Sequence, residues 1–155
     1  MIMSPAGFGT GDRNSSLIAQ LRVWADSDSQ GIAFGSNPGF TLPSGAVRSP
    51  DAAWVSNAKV EAISEEDYER FAHVCPEFII ELLSPSDSLK ETQAKMSEWI
   101  ENGTELGWLI DPYQRVVYEY TQAGMRRFDD LSEIRGHGPV EGFILDLSKV
   151  WKRRK

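Results

Sequence analysis

Phe78-Ile79-Ile80-Glu81-Leu82-Leu83-Ser84 decides how this chain folds. Its apolar residues read as a short buried strand. A carboxylate inside such a run is costly unless it is paired, protonated or bound to a metal. Ser84-Pro85-Ser86-Asp87 stops the strand. Ser88 and Glu91 then have capping-box spacing for a helix from Leu89 to Asn102, which Gly103 ends. Gly107-Trp108-Leu109-Ile110 is the next strand, so the three segments form one βαβ unit with parallel strands and a right-handed crossover. Asp111-Pro112-Tyr113-Gln114 places Pro at the favoured second position of a turn. Arg115 to Thr121 returns antiparallel, with Val116, Tyr118 and Tyr120 on one face and Val117 and Glu119 on the other. The fold class is α/β (α+β): a mixed β-sheet flanked by helices.

Working outward, Met1 to Gly11 is Gly-rich and reads as a loop or frayed start. Asn14-Ser15-Ser16 caps a helix running through Leu17, Ile18, Leu21, Val23 and Trp24. Ile32 to Gly35 is a strand, Asn37-Pro38-Gly39 a turn, and Ala52 to Val55 a strand that begins after Pro50. Ser64-Glu65-Glu66-Asp67 opens a short acidic helix or turn ending near Pro76. Arg126 to Leu131 is a further short strand, and Phe143 to Leu147 precedes the tail. With no internal repeat or low-complexity linker, residues 1–155 read as a single domain able to bury a core.

Composition narrows the class. The formal net charge of −7 weakens a simple case for nucleic-acid binding, where a basic footprint is expected, although part of that charge would belong to a metal site and be neutralised there. Basic residues cluster at Arg126-Arg127 and at Lys152-Arg153-Arg154-Lys155, the latter reading as a solvated tail. The single cysteine, Cys75, excludes an internal disulfide and argues against a Cys-based zinc site. No stretch is long and apolar enough to span a bilayer, and no signal-peptide pattern opens the chain, so a cytoplasmic location is the simplest expectation.

The chemistry rests on three residues. Taken alone, Glu81 reads as a salt-bridged structural acid. Asp51, in Ser49-Pro50-Asp51-Ala52-Ala53-Trp54-Val55, changes that reading, because Pro50 sets a rigid corner at the start of a strand. If that strand lies beside the one from Phe78, the two carboxylates meet within a few ångströms and repel unless a divalent cation sits between them. Magnesium suits such all-oxygen ligands. Lys95 lies at the edge of the buried helical stripe of Leu89, Thr92, Met96, Trp99 and Ile100, and its stem can carry the ammonium toward the sheet. Alone, it reads as a boundary lysine. His73 and His137 are isolated, Asp111 accepts a backbone hydrogen bond in its turn, and helix initiation accounts for Ser84 and Asp87. Trp54, Trp99 and Trp108 read as core, and Gly7 to Gly11 lacks the context of a phosphate loop.

The order of these segments resembles the Uma-two family, a branch of the PD-(D/E)xK nuclease superfamily. The resemblance is carried by Met3-Ser4-Pro5, Gly39-Phe40-Thr41-Leu42-Pro43, Val47 through Val55, Glu81-Leu82-Leu83-Ser84-Pro85-Ser86-Asp87, and Lys95-Met96 through Gly107-Trp108-Leu109-Ile110-Asp111-Pro112. It implies a restriction-endonuclease-like core. It also implies catalytic roles for Asp51, Glu81 and Lys95, with Asp51, Glu81 and Leu82 contacting Mg2+ or Mn2+. The superfamily places its Lys two residues after the second acid; that position here is Leu83, and Lys95 matches a Lys moved to the following helix. The implied reaction is hydrolysis of DNA by a metal-activated water, leaving a 5′-phosphate, with a homodimer to cut both strands. Family members carry a helix and a strand with a further acid ahead of Met3-Ser4-Pro5, a segment expected to be absent from a chain beginning at Met1. The acidic charge keeps open an alternative: a catalytically inactive nuclease fold acting as a binding or interaction module.

Overall fold

The computed structural model describes residues 6–153. Helix α1 (Phe8–Asp28) leads into a six-stranded sheet built from β1 (Gly31–Phe34), β4 (Ala52–Ser56), β5 (Phe78–Leu82), β6 (Leu106–Asp111), β7 (Val116–Thr121) and β8 (Gly124–Asp129), in the spatial order β1-β4-β5-β6-β7-β8. Only β5 and β6 run parallel, and helix α4 (Leu89–Glu101) connects them; every other neighbouring pair is antiparallel. A small hairpin of β2 (Phe40–Thr41) and β3 (Val47–Arg48) precedes β4. Short helices α2 (Asn57–Glu61) and α3 (Glu65–Tyr68) fill the β4–β5 connection, and a hairpin of β9 (Glu133–Arg135) and β10 (Ile144–Asp146) closes the chain.

Strand alternation sorts the core into two layers. Phe78, Ile80 and Leu82 of β5 face a layer with Leu17, Leu21 and Ala25 of α1 and with Phe143, Leu145, Val150 and Trp151. Trp108 anchors this layer, edge-on to Phe78 at 4.9 Å and stacked on Phe143 at 6.0 Å. Ile79 faces the other way, toward Met96 and Trp99 of α4 and toward Phe40, Val116, Tyr118 and Tyr120. The alternation expected for β7 is therefore realised, with Val117 in the first layer and Tyr118 in the second. Gly107 lets α4 sit close, since a Cβ there would meet Met96 Cε at 2.8 Å.

Three local expectations are corrected. Phe8 to Gly11 is helical rather than loop, while Met1 to Pro5 lie outside the described residues. The helix therefore starts well before Asn14, and its early turns are held by tertiary contacts, with Thr10 buried and Arg13 bonded to Tyr113. The acidic helix stops at Tyr68, its start capped by Ser64 as its spacing implies. Helix α2 and strand β9 had no separate sequence signal, the first because it is a five-residue helix with no buried residue. In the basic tail Lys152 and Arg153 are exposed, as expected, while Arg154 and Lys155 lie outside the described residues; just ahead of it Val150 and Trp151 are buried, and the Lys152 N–H donates to the Pro112 carbonyl at 3.0 Å.

Candidate active site

The ladder that pairs Ala52 with Ile80 puts Asp51 across from Glu81 at one end of β4 and β5. Pro50 is buried and fixes the corner from which Asp51 enters the strand. The two acids then lock reciprocally. The Asp51 N–H donates to Glu81 Oε1 at 3.0 Å, and the Leu82 N–H donates to Asp51 Oδ2 at 2.7 Å. Each carboxylate thus takes a backbone donor from the other's strand, which fixes both without a cation.

Electrostatics shows the cost. Burial, then tempered by the Leu82 hydrogen bond, pushes the Asp51 carboxyl up to about 6. Burial, then the neighbouring Asp51 charge, pushes Glu81 up to about 8. Asp87 adds like charge to both, and Lys95 pulls both down. Lys95 reaches them because Ser88 Oγ accepts from the Glu91 N–H at 3.3 Å and starts α4 there, two turns ahead. Thr92 and Lys95, three residues apart, share the helix side that borders the site.

Asp51, Glu81, Asp87, Thr92 and Lys95 line one cleft of about 860 Å³, together with Ser49, Ser84, Tyr113 and the start of α1. Among the described residues no cluster of three or more His, Cys, Asp or Glu side chains could hold a metal. The oxygen set is therefore Asp51 and Glu81 plus backbone oxygens. That set still fits a hard divalent ion, because two acids strained upward by burial and mutual repulsion are relieved by a cation. Leu82 enters through its backbone alone, its side chain being buried in the α1 layer.

The other sequence candidates sit elsewhere. His73 pairs with Asp67 at 2.9 Å, and His137 with Glu119 at 3.2 Å. Asp111 Oδ1 accepts from the Tyr113 and Gln114 N–H groups, as expected of a turn. Asp87 has a second role beyond initiating the helix: it borders the cleft while its Oδ2 accepts the Ser84 N–H at 2.9 Å. Arg13, Tyr113 and Lys152 also border the cleft, and nothing in their local sequence marks them.

The six-stranded mixed sheet with its flanking helices defines a class, the restriction-endonuclease-like fold. The chain belongs to the Uma2 family, whose model is described as "Putative restriction endonuclease" and matches residues 1–148. The crystal structure of a putative nuclease belonging to DUF820 from Anabaena variabilis ATCC 29413 is similar in fold, with a TM-score of 0.78 and 20% identity over 96% of this chain and 83% of that one. The structure of a DrdV–DNA complex is similar at a TM-score of 0.47 and 16% identity, over 77% of this chain and 10% of that one. No curated protein sequence matches the chain. No helix among the described residues is long and apolar enough to cross a membrane.

Proposed function

We propose that this chain is a divalent-metal-dependent endonuclease that hydrolyses phosphodiester bonds of DNA, with Asp51, Glu81 and Lys95 as its catalytic groups. The observation that carries the reading is the interlocked pair: Asp51 and Glu81 are held by each other's backbone and raised in pKa in an open cleft, with Lys95 alongside. A structural acid pair would be neutralised by a cation within bonding distance, and neither acid is in an ion pair among the described residues.

Asp51, Glu81 and the Leu82 backbone oxygen would hold Mg2+ or Mn2+. Bound there, the ion makes a coordinated water more acidic and offsets charge building on the phosphate. The chain's own residues do the rest. The reciprocal backbone bonds keep both carboxylates in place, so no reorganisation is needed when substrate arrives. The Lys95 ammonium, exposed at the cleft edge, orients the attacking water or stabilises the phosphate oxygens in the transition state. Buried Pro50 holds the corner from which Asp51 enters the site.

The deciding experiment is a divalent-metal nuclease assay on plasmid and on single-stranded DNA, with Asp51→Asn and Glu81→Gln proteins alongside. Cleavage that requires Mg2+ or Mn2+ and vanishes in both variants supports the reading. Absence of cleavage with any divalent ion, in a protein that still binds DNA, leaves the binding module.

A further inference from the structure

The acid pair occupies one wall of the cleft. A second wall is built from residues far apart in the chain: Arg13 on α1, Tyr113 in the turn after β6, and Lys152 beyond the last hairpin. They converge on one ring. Arg13 Nη2 donates to Tyr113 Oη at 2.9 Å, with its guanidinium 5.3 Å from the ring centroid, and Lys152 Nζ lies 5.7 Å from the same centroid.

Two cations gathered on one tyrosine are unusual company in a chain of net charge −7. Most other cations of the fold are neutralised: Arg22, Arg48, Lys59, Arg70, Arg115, Arg127 and Arg135 each have an acidic partner. Among the described residues Arg13, Lys95 and Lys152, the three cations that line the cleft, have none. Arg13 also keeps Nε buried with no hydrogen-bond partner there, and Asn14 Oδ1 beside it is in the same state. Room for the guanidinium depends on Gly9, where a Cβ would come 3.2 Å from Arg13 Nη1. The backbone of Lys152 is pinned by the Pro112 carbonyl, next to buried Trp151.

We propose that Arg13, Tyr113 and Lys152 form a subsite for a backbone phosphate of the nucleic acid, flanking the phosphate that is cut. This rests on the reading that the cleft takes a polynucleotide. A guanidinium with spare N–H donors beside an ammonium matches a phosphate diester in charge and in donor geometry. A polyanion is repelled by most of this acidic surface and meets three cations without an acidic partner in this one cleft, so the subsite sets the direction in which a strand crosses the acid pair. Its residues are positioning residues, and their loss acts on KM rather than kcat.

The test is binding of a fluorescein-labelled DNA duplex, followed by anisotropy against salt concentration in the Glu81→Gln protein. Exchanging both cations, Arg13→Gln with Lys152→Gln, weakens binding at least about tenfold and lowers the salt slope by about two. Arg13→Lys, which keeps the charge, retains most of the slope, and Lys152→Gln alone lowers it by about one without moving the melting temperature. Arg70→Gln, which removes a charge paired with Glu66 at a separate pocket, changes neither affinity nor slope. Unchanged affinity and slope in the double variant overturn the subsite. Cleavage with wild-type KM by the Arg13→Gln, Lys152→Gln protein with Glu81 intact overturns the subsite and leaves the nuclease reading standing. The slope effect in a protein that cuts nothing with any divalent ion does the reverse.

Discussion

Glu77 and Glu81 lie four positions apart, one just ahead of strand β5 and one inside it. Both are carboxylates set against the apolar core. Glu77 has the partners that burial demands: Oε1 accepts the Ser56 N–H at 3.1 Å and faces Lys59 Nζ at 3.7 Å. Glu81 has a backbone N–H from Asp51 and, instead of a cation, a second acid. The fold satisfies one end of the strand and leaves the other in electrostatic debt, facing a cleft. The difference teaches that a buried acid is read by what neutralises it: inside the chain it is architecture, and where the chain supplies nothing it is a place for an ion.

The comparison breaks most visibly in activity. Glu81→Gln removes the charge while keeping the shape and the acceptor for the Asp51 N–H, so the fold survives and metal-dependent DNA cleavage falls by about 1,000-fold. Retained cleavage would return Glu81 to the same class as Glu77. Lys95→Met comes next. The side chain is exposed and unpaired among the described residues, so its stability effect stays within about 0.5 kcal/mol while kcat drops by about 100-fold. A thermal melt beside the kinetic assay separates the two, and loss of stability without loss of rate would make Lys95 a boundary lysine.

Legibility in the sequence follows the same divide. The β5–α4–β6 unit was readable because each part is local: an apolar run, a Ser88–Glu91 cap and a second apolar run. The alternation of β7 was readable for the same reason. Asp51 and Glu81 could be suspected from an acid next to Pro50 and an acid in an apolar run. Their meeting depends on the β4–β5 register, which lies between strands rather than within either. Arg13, Tyr113 and Lys152 are joined only by tertiary packing, so no window of sequence contains them. The Gly-rich start misled because glycine weakens an isolated helix, whereas Gly9 and Gly11 here ride on a helix held by its burial against the sheet.

Stability against pH sharpens the contrast. In the unfolded chain Asp51 and Glu81 ionise at their ordinary values of 3.8 and 4.5, and in the folded protein at about 6 and about 8. Below the unfolded values both states hold their protons, and the acid pair costs nothing. As pH rises through the folded values the unfolded state has already ionised, so the metal-free fold loses stability between about pH 4 and 8. With a chelator present, the wild type is less stable at pH 8 than at pH 5 by about 2 kcal/mol, a figure discounted for relaxation. Glu81→Gln flattens most of that slope. Adding Mg2+ at pH 8 raises the melting temperature of the wild type and leaves the variant unmoved. A flat pH profile in the metal-free wild type would mean that the two acids are already neutralised within the fold.

The smallest expected effect falls at the other end of β5. Glu77→Gln keeps an oxygen to accept the Ser56 N–H and removes only the attraction to Lys59, whose side chain is 37% exposed and still donates to the Cys75 carbonyl at 2.7 Å. The cost is about 1 kcal/mol, because the lysine turns to water and no charge is stranded. Cleavage and the Mg2+-induced rise in melting temperature stay at wild-type values, since Glu77 is not among the residues bordering the cleft. Chemical denaturation at neutral pH measures the first quantity, and the same preparation serves for the other two. Were Glu77→Gln to suppress cleavage while leaving stability intact, the strand would have two chemical ends, and the division between the satisfied acid and the unsatisfied one would fail.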